Sequence, residues 1–380
     1  MSKVSLIRCD EYILDDVYNK VEKAIDLIGG FDKYIAKDAK VFIKLNCVGP
    51  FHQDTGITTH PVFVEAVLKH VLKRTTNVII GDNPATKDIT FTLKKNGVYP
   101  LIEKYNIPII NGKDVKIISN SNPIVYSEFE VSREIVECDT LINLPKLKTH
   151  TLTYMTGAQK NFFGLIYGLN KAGWHVKANN PLAFSNAIND LYGAVLETFK
   201  DKKILNICDG ILGLEGEGPS TGGRPKKANA ILASTDAISL DIISSKIVKL
   251  DTDKLILPFV GHDRGYGEAK NIEVLGNTID DFKDVSFEGP QNQLSSFGLR
   301  LIRKPIFRNL LLEHPVIDKT KCIKCGECAK ICPPHTMTIK PKEFPKLKNI
   351  KCIRCWCCAE VCPQNAIEKS KRPIIGRIVF

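Results

Sequence analysis

The sequence lacks several features that would place it in a familiar class. No apolar run approaches the length that spans a bilayer, so it has no candidate transmembrane helix. The first residues, MSKVSLIRCDEYILDD, carry acids where a secretion signal has its apolar core, and we therefore expect a cytoplasmic protein. The motifs HExxH and CxxxCxxC are also absent, which leaves zinc protease and radical-SAM chemistry without support.

A nucleotide-binding loop is missing too. The glycine-rich stretch EGEGPSTGG, residues 215–223, lacks the GK[ST] ending of a P-loop and has only two of the glycines of GxGxxG. Asp209, Glu215 and Glu217 could form a hard-cation site with oxygen ligands. A mobile surface loop is the interpretation we prefer, because such loops commonly carry glycines and acids without binding anything.

What the sequence does have is a duplicated cysteine run. KCIKCGECAKICP, residues 321–333, aligns without a gap with KCIRCWCCAEVCP, residues 351–363. Both read C-x2-C-x2-C-x3-C-P, a bacterial iron–sulfur spacing in which the fourth cysteine of each run binds the cluster of the other run. The first cluster is thereby assigned Cys322, Cys325, Cys328 and Cys362. The second cluster is assigned Cys352, Cys355, Cys358 and Cys332.

This repeat resembles the two-cluster bacterial ferredoxins over residues 313–370, which implies two [4Fe-4S] clusters in a small α+β domain. Two zinc sites are an alternative that the spacing disfavours, since zinc ribbons usually use separated CxxC pairs. Disulfides are disfavoured by the closeness of the cysteines and the expected compartment. Oxygen damages exposed clusters, so an anaerobic host is expected.

Five further cysteines lie outside the two ligand sets. Four of them are in or beside apolar strands and are expected in the core: Cys9, Cys47, Cys138 and Cys208. The fifth, Cys357, is expected to be a packed thiol beside Trp356, with a ligand exchange with Cys358 as the alternative.

The positive charge is concentrated near the C-terminus. Residues 291–380 hold 18 Lys and Arg against 6 Asp and Glu, whereas the remaining 290 residues are close to neutral. Part of this excess offsets the negative charge of the clusters. The rest predicts docking of an acidic soluble electron carrier of the ferredoxin or flavodoxin type. Nucleic acid is disfavoured as a partner, because no aromatic interleaving or nucleic-acid motif accompanies the basic residues.

The first part of the chain alternates short apolar strands with amphipathic helices. This pattern predicts an α/β fold with a mainly parallel sheet covered by helices on both faces. We expect an α/β domain at 1–276, a linker at 277–312, the ferredoxin-like domain at 313–370 and a tail at 371–380. The linker segment FGLRLIRKPIFRNLLL is interpreted as a packed connector, with a membrane-surface or partner helix as the alternative.

Ligands of open α/β sheets gather beyond the carboxyl ends of the strands. The segment NLPKLKTHT follows the strand Thr140–Leu144, and TGAQKNFFG comes soon after it. Its lysines could bind an anionic substrate, and His150 could carry a proton near neutral pH. We therefore take Lys148, His150 and Lys160 as candidate catalytic residues. A solvated basic loop with a hydrogen-bonded histidine is the alternative.

A second resemblance covers roughly residues 40–276. TLINLPKLKTHTLTYMTGAQKNFFG, followed by CDGILGLEGEGPSTGGRPKKANAILASTDAISLD, is similar to the family called "domain of unknown function 362". Members often carry a ferredoxin module at one end. The resemblance implies an α/β fold and an iron–sulfur-linked role, and it implies no reaction.

Three functions are compatible with these features. The first is an iron–sulfur oxidoreductase that passes electrons from a soluble carrier to a substrate or cofactor in the α/β domain. The second is a non-enzymatic electron carrier or assembly partner whose large domain binds another protein. The third is acid–base chemistry with structural clusters. A second organic cofactor or a divalent metal stays open, because no flavin or nicotinamide motif is evident. A polar-lined cavity at the strand ends would favour an enzyme, and a flat face would favour a protein partner.

Overall fold

The computed structural model describes residues 1–84, 88–110, 112, 114–166, 174, 178, 180–290, 305–371 and 373–375. Up to residue 290 it contains eleven strands among the described residues. They are β1 (Ser2–Arg8), β2 (Val41–Lys44), β3 (Val78–Gly81), β4 (Val115–Ser119), β5 (Glu128–Ser132), β6 (Thr140–Asn143), β7 (Lys146–His150), β8 (Tyr154–Thr156), β9 (Lys203–Gly216), β10 (Gly223–Ser234) and β11 (Ile272–Gly276). The α-helices of this part are Leu14–Asp26, Pro61–Leu72, Ile89–Lys95, Tyr99–Tyr105, Arg133–Glu137, Ala158–Asn161, Pro181–Thr198, Ala237–Ile247 and Ile256–Asp263.

Nine of these strands form one sheet. Its order is β11-β1-β10-β9-β6-β2-β3, with β7 paired to β9 and β8 paired to β7. The strands β9, β6, β2 and β3 run parallel, as do β7 with β9 and β1 with β11. Only the β1–β10, β9–β10 and β7–β8 pairs are antiparallel in this sheet. The prediction of a mainly parallel sheet is confirmed.

The sheet separates two hydrophobic cores. Phe42 packs into one core, whereas its neighbours Val41 and Ile43 pack into the other, as the two-residue period of a strand requires. The helices Pro181–Thr198 and Ala237–Ile247 bury their apolar residues in the first core. The helices Leu14–Asp26 and Pro61–Leu72 fill the second. Helices therefore cover both faces, as predicted.

Two segments differ from the expectation. Lys146–His150, expected as a loop after the strand Thr140–Leu144, is itself a buried strand. The preferred loop at 215–223 is shorter than expected: β9 runs to Gly216 and β10 begins at Gly223, so only residues 217–222 form the connection of a long hairpin. The sequence did not predict these strand residues because they include lysines and glycines, and neither residue type favours a strand by its own propensity.

The C-terminal part is small and internally repeated. Its strands are β12 (Pro315–Ile317), β13 (Met337–Thr338), β14 (Lys346–Leu347) and β15 (Ile367–Lys369). Its helices are Pro305–Leu311, Glu327–Lys330 and Cys357–Glu360. β12 pairs with β15 and β13 pairs with β14, both antiparallel. A short helix contains the third cysteine of each run, at equivalent positions of the sequence repeat.

Parts of two predicted segments lie outside the described residues. These are residues 291–304 of the linker, and 372 and 376–380 of the tail. The helix Pro305–Leu311 buries Leu311 but exposes Ile306, Phe307 and Leu310. The domain boundaries stay predictions.

Within the part of the chain that the structure describes, no helix combines the length and apolar character needed to cross a membrane.

Candidate functional site

Four cysteines surround a first small cavity in the C-terminal part. The cavity encloses about 340 Å³, and apolar and proline side chains complete its wall. Its cysteines are Cys322, Cys325, Cys328 and Cys362. The sulfur of Cys362 also accepts a hydrogen bond from the backbone N–H of Ala366 at 3.2 Å. Three ligands of the first run and the last cysteine of the second run thus come together, as the spacing predicts.

The second small cavity mirrors the first. It encloses about 300 Å³ and is lined by Cys332, Cys352, Cys355 and Cys358. The sulfur of Cys332 accepts a hydrogen bond from the N–H of Met337 at 3.4 Å. Four thiolates and an N–H donor to sulfur fit a [4Fe-4S] cluster in donor chemistry. Among the described residues, no three His, Cys, Asp or Glu side chains converge closely enough to hold a single metal ion.

A third and larger cavity lies between the sheet and the C-terminal part. It encloses about 880 Å³, part of it open to solvent, at the carboxyl ends of the parallel strands. All three candidate catalytic residues line it: Lys148, His150 and Lys160. Cys357 and Glu360 approach it from the C-terminal part, and Cys357 lies directly between two second-cavity cysteines in sequence. The sequence did place the first three residues at one site, although as a loop.

Strand β7 supplies two of these residues. Lys148 and His150 are two positions apart, so both point to the same face of the strand. Lys146 shares their spacing, but the pairing of β7 with β9 shifts register between Lys146 and Lys148. Lys146 is not among the residues that line the cavity. It instead donates hydrogen bonds of 2.8 Å to Asp209 and to the hydroxyl of Tyr12.

Lys148 is buried, and no carboxylate of the described residues lies at hydrogen-bond distance from it. Its ammonium donates to the side-chain oxygen of Asn46 at 2.6 Å and to the carbonyl of Ile57 at 2.8 Å. Burial, reinforced by the nearby charges of Lys160 and Lys146, holds the pKa of Lys148 well below its usual value. An ammonium has three donors, so the third can serve a ligand in the cavity.

Four asparagines fix the position of this lysine. The side chain of Asn46 donates to Asn161 at 2.8 Å, Asn161 donates to Asn143 at 2.7 Å, and Asn143 donates to Asn206 at 2.8 Å. The chain of amides thus reaches β6 and β9, where Asn143 and Asn206 are paired in register. It orients the oxygen of Asn46 toward Lys148.

Lys160 stands on a short helical turn, Ala158–Asn161. The carboxylate of Asp241 accepts the N–H groups of Ala158 at 2.6 Å and Gln159 at 3.0 Å, which anchors this turn. Burial raises the pKa of Asp241 to about 7. A side chain at Gly157 would collide with the same carboxylate, so glycine is required there.

The ammonium of Lys160 lies 5.8 Å from the ring centres of both Phe163 and Phe184. Burial lowers the pKa of Lys160, and the charge of Glu360 opposes that shift. Lys160 is close enough to Lys148 that its positive charge disfavours protonation of Lys148. The cavity wall therefore holds two lysine side chains that an anion could contact, together with two carboxylates.

His150 has a defined tautomer. Its Nδ1 accepts hydrogen bonds from the N–H groups of Leu152 at 2.9 Å and Thr153 at 3.3 Å. A ring nitrogen that accepts carries no proton, so the proton of the neutral ring is on Nε2. Nε2 lies 3.9 Å from a carboxylate oxygen of Glu360. Burial raises the pKa of Glu360, whereas Lys160 and Lys148 lower it.

A buried ion pair closes one side of the cavity. Asp82 and Lys44 are 2.8 Å apart, and Asp82 also accepts the N–H of Cys47 at 2.6 Å. A side chain on Gly164 would collide with both members of the pair. Asp82 and Asn46 both line the cavity.

Sequence reasoning missed Glu360 and the exposure of Cys357 to the cavity. Cys357 is buried as expected, but it contributes to the cavity wall rather than only to a core. Nothing in the sequence connects residue 360 with residue 150. Only the docking of the two parts brings them together, through contacts such as Lys369–Glu217 at 2.6 Å and Asn365 to the carbonyl of Thr221 at 3.3 Å.

The suggested cation site does not form among the three carboxylates. Each has its own cationic partner: Asp209 with Lys146 at 2.8 Å, Glu215 with Arg224 at 3.1 Å, and Glu217 with Lys369 at 2.6 Å. The carboxylates serve the fold and the docking of the two parts.

Comparisons with solved structures find two similar chains at low identity. One is the lactate racemase apoprotein from Thermoanaerobacterium thermosaccharolyticum, with 12% identity, a TM-score of 0.40, and coverage of 65% of this chain and 57% of that one. The other is a protein from Thermotoga maritima, with 12% identity, a TM-score of 0.37, and coverage of 68% and 60%. The chain thus spans less than two thirds of either structure.

Comparison with characterised sequences finds the thylakoid-associated protein sll1697 of Synechocystis sp. It is 29% identical over 252 residues, which cover 66% of this chain and 76% of that protein. A 4Fe-4S binding domain matches residues 314–337, around the first cysteine run. The family described as "Domain of unknown function (DUF362)" matches residues 41–246, more than half of the chain. Both resemblances noted in the sequence are therefore confirmed: the chain belongs to the DUF362 family and carries a 4Fe-4S binding domain.

Proposed function

We propose that this protein is an iron–sulfur oxidoreductase that reduces an anionic substrate or cofactor in the cavity between its two parts. The observation that carries the proposal is the shared wall of that cavity. Lys148 and His150 of β7 and Lys160 of the turn Ala158–Asn161 line one side, while Cys357 and Glu360 come from the cysteine repeat. A binding site for an anion thus adjoins the residues proposed to hold a cluster.

Two [4Fe-4S] clusters are proposed, one for each small cavity. The first set of ligands is Cys322, Cys325, Cys328 and Cys362. The second set is Cys352, Cys355, Cys358 and Cys332. When bound, each cluster supplies one-electron transfer. Because Cys357 adjoins Cys358 and lines the cavity, the second cluster would be the one that serves the substrate.

The cavity lysines bind and polarise the anion. A carboxylate or phosphate group would take the third donor of Lys148 and the ammonium of Lys160, in a site of low dielectric where such contacts are strong. Charge that develops on the substrate during reduction is stabilised by the same two ammonium groups. The Nε2–H of His150 can donate a further hydrogen bond.

The reduction balances with two electrons and two protons. Two equivalents of a reduced one-electron carrier are oxidised, and the substrate gains the two electrons and two protons. The ammonium of Lys160, whose pKa is lowered, is positioned to give one proton and to recover it from solvent. The second proton comes from the solvent-open side of the cavity.

The cavity also favours this proposal over a purely non-enzymatic carrier. A docking surface for another protein is broad and mostly flat, whereas this site is concave and lined by converging polar groups. Acid–base chemistry with structural clusters would persist when the clusters are held oxidised.

The test is anaerobic single turnover. The protein is purified without oxygen, its iron and sulfide are measured, and about eight irons per chain are expected from two cubanes. The reduced protein is then mixed with a panel of small carboxylates and phosphate esters, and reoxidation is followed by absorbance. We expect at least one compound to reoxidise both clusters in the natural protein but not in Lys148→Met or His150→Asn, with iron content unchanged. Normal turnover by either variant would overturn the site assignment.

A further inference from the structure

The two cysteine runs have the same sequence pattern but different surroundings. The ungapped alignment pairs Lys324 with Arg354, and Cys325 with Cys355. Lys324 and Arg354 even share a left-handed backbone, with φ of 58° and 63°. The differences between the runs therefore come from what covers each one, rather than from local geometry.

The second run is covered. Arg354 is only 8% exposed, and its guanidinium donates to Asn309 at 2.5 Å and to the carbonyls of Asn349 and Cys352 at 3.2 Å. Asn309 belongs to the helix Pro305–Leu311, which therefore caps this side. The remaining side of the run faces the large cavity.

The first run is open to solvent. Cys325 is the one exposed cysteine among the described residues, and Ile323 beside it is 60% exposed. The ammonium groups of Lys324 and Lys319 lie 4.4 Å and 5.8 Å from the ring centre of Phe344. The next residue, Pro345, lines the cavity of the first cysteine set. We call the surface formed by Lys319, Ile323, Lys324, Cys325 and Phe344 the docking face.

The charge of the docking face is not cancelled locally. Lys321 is paired with Asp318 at 3.1 Å and Glu368 at 2.6 Å. Lys319 and Lys324 have no such ion pair among the residues that the structure describes. An exposed apolar side chain between unpaired cations suits a short-lived complex with an acidic protein, which needs a fast encounter and a small contact area.

We propose that the docking face receives an acidic one-electron carrier protein, which reduces the first cluster. This inference rests on the proposed function and gives it a direction: from the carrier to the first cluster, then to the second cluster, then to the cavity. In each encounter one electron leaves the reduced carrier and enters the first cluster, and no bond forms or breaks. The two similar clusters would thus have different partners: the carrier protein for the first cluster and the cavity for the second.

The experiment measures cluster reduction by stopped flow with a reduced acidic two-iron ferredoxin as the probe. Lys324→Glu reverses one charge on the docking face, and Lys200→Glu makes the same change on an exposed residue of the large domain. We expect Lys324→Glu to slow association roughly tenfold at low ionic strength, because steering falls with the charge of the contact surface. Lys200→Glu should change it less than twofold. At about 1 M salt, where the screening length is about 3 Å, the variants should converge.

Equal rates for Lys324→Glu and the natural protein, or equal slowing by both variants, would overturn the docking face. Iron content and the spectra of both clusters in Lys324→Glu verify that the fold is kept, and Lys319→Glu provides a second charge reversal on the same face. Substrate reduction driven by a small reduced viologen bypasses docking and should survive in Lys324→Glu. If the natural protein does not reduce substrate with viologen as the electron source, the proposed function is contradicted, whatever the carrier kinetics show.

Discussion

Strand β7 puts two buried lysines into different surroundings. Lys146 and Lys148 are two residues apart, and each is 1% exposed. Lys146 lies against Asp209 and Tyr12, so its charge is neutralised within the fold. Lys148 lines the cavity and, within the part of the chain that the structure describes, has only neutral oxygens at hydrogen-bond distance. A buried charge without a carboxylate at hydrogen-bond distance is costly, and under the proposed function an anionic ligand supplies that partner.

The largest effect should come from Lys148→Met. The methionine fills a similar volume but removes the ammonium that stabilises charge on the substrate. We expect kcat/KM to fall by roughly 10²- to 10³-fold. Thermal unfolding should show the fold unharmed, since an uncompensated buried charge has been removed. If Lys148→Met keeps its activity, Lys148 does not serve a ligand and does not differ from Lys146 in that respect.

Lys146→Met should instead act on stability. It leaves the carboxylate of Asp209 buried without its cation, and we expect the free energy of unfolding to drop by about 3–5 kcal/mol. Denaturant titration of the holoprotein measures the change.

The matched double variant Lys146→Met/Asp209→Leu removes both charges and should recover part of the loss. If the double variant is no more stable than the single one, the Lys146–Asp209 pair is not the source of the effect.

The third prediction concerns pH. Burial lowers the pKa of Lys160, so its ammonium is lost at a lower pH than that of an ordinary lysine. Anion binding should therefore weaken as the pH rises through the lowered value, and KM should rise with it. In Lys160→Arg the charge at this position persists, so the alkaline rise in KM should be smaller than in the natural protein. If KM depends on pH in the same way in the natural protein and in Lys160→Arg, Lys160 does not contribute to the anion site.

The smallest effect is on stability at alkaline pH. The pKa of Lys148 is lowered on folding, so the unfolded chain binds more protons than the folded one between the lowered and the ordinary lysine values. The contribution of this residue to stability must then increase as the pH rises across that window. The difference in unfolding free energy between the natural protein and Lys148→Met should shift in favour of the natural protein over the same range. A difference that does not vary with pH would contradict the shifted pKa.

Sequence alone predicted what depends on short-range spacing. The cysteine repeat assigned each of the eight cysteines to one of two sets, and each set lines its own cavity. The alternation of apolar strand segments with amphipathic helices predicted the α/β sheet, because the burial of each element sets the spacing of its apolar residues in the sequence. Lys148, His150 and Lys160 were found because polar residues at strand ends mark ligand sites in such sheets.

What the sequence could not predict depends on register and docking. Lys146 and Lys148 look equivalent in KLKTH, and only the irregular pairing of β7 with β9 separates them. Glu360 reaches His150 from 210 residues away, through an interface that no local pattern encodes. The unequal covering of the two cysteine runs has the same origin.

The most direct test of the account is the EPR spectrum of the half-reduced protein with and without a small anion. Cys332→Ala identifies the signal of the second cluster, because that signal should be lost although Cys332 belongs to the first run. We predict that acetate or phosphate, whose binding calorimetry verifies, shifts the signal of the second cluster, leaves that of the first unchanged, and has no effect in Lys148→Met. Binding that leaves the second signal unshifted, or that shifts only the first, would contradict the claim that the second cluster serves the lysine cavity.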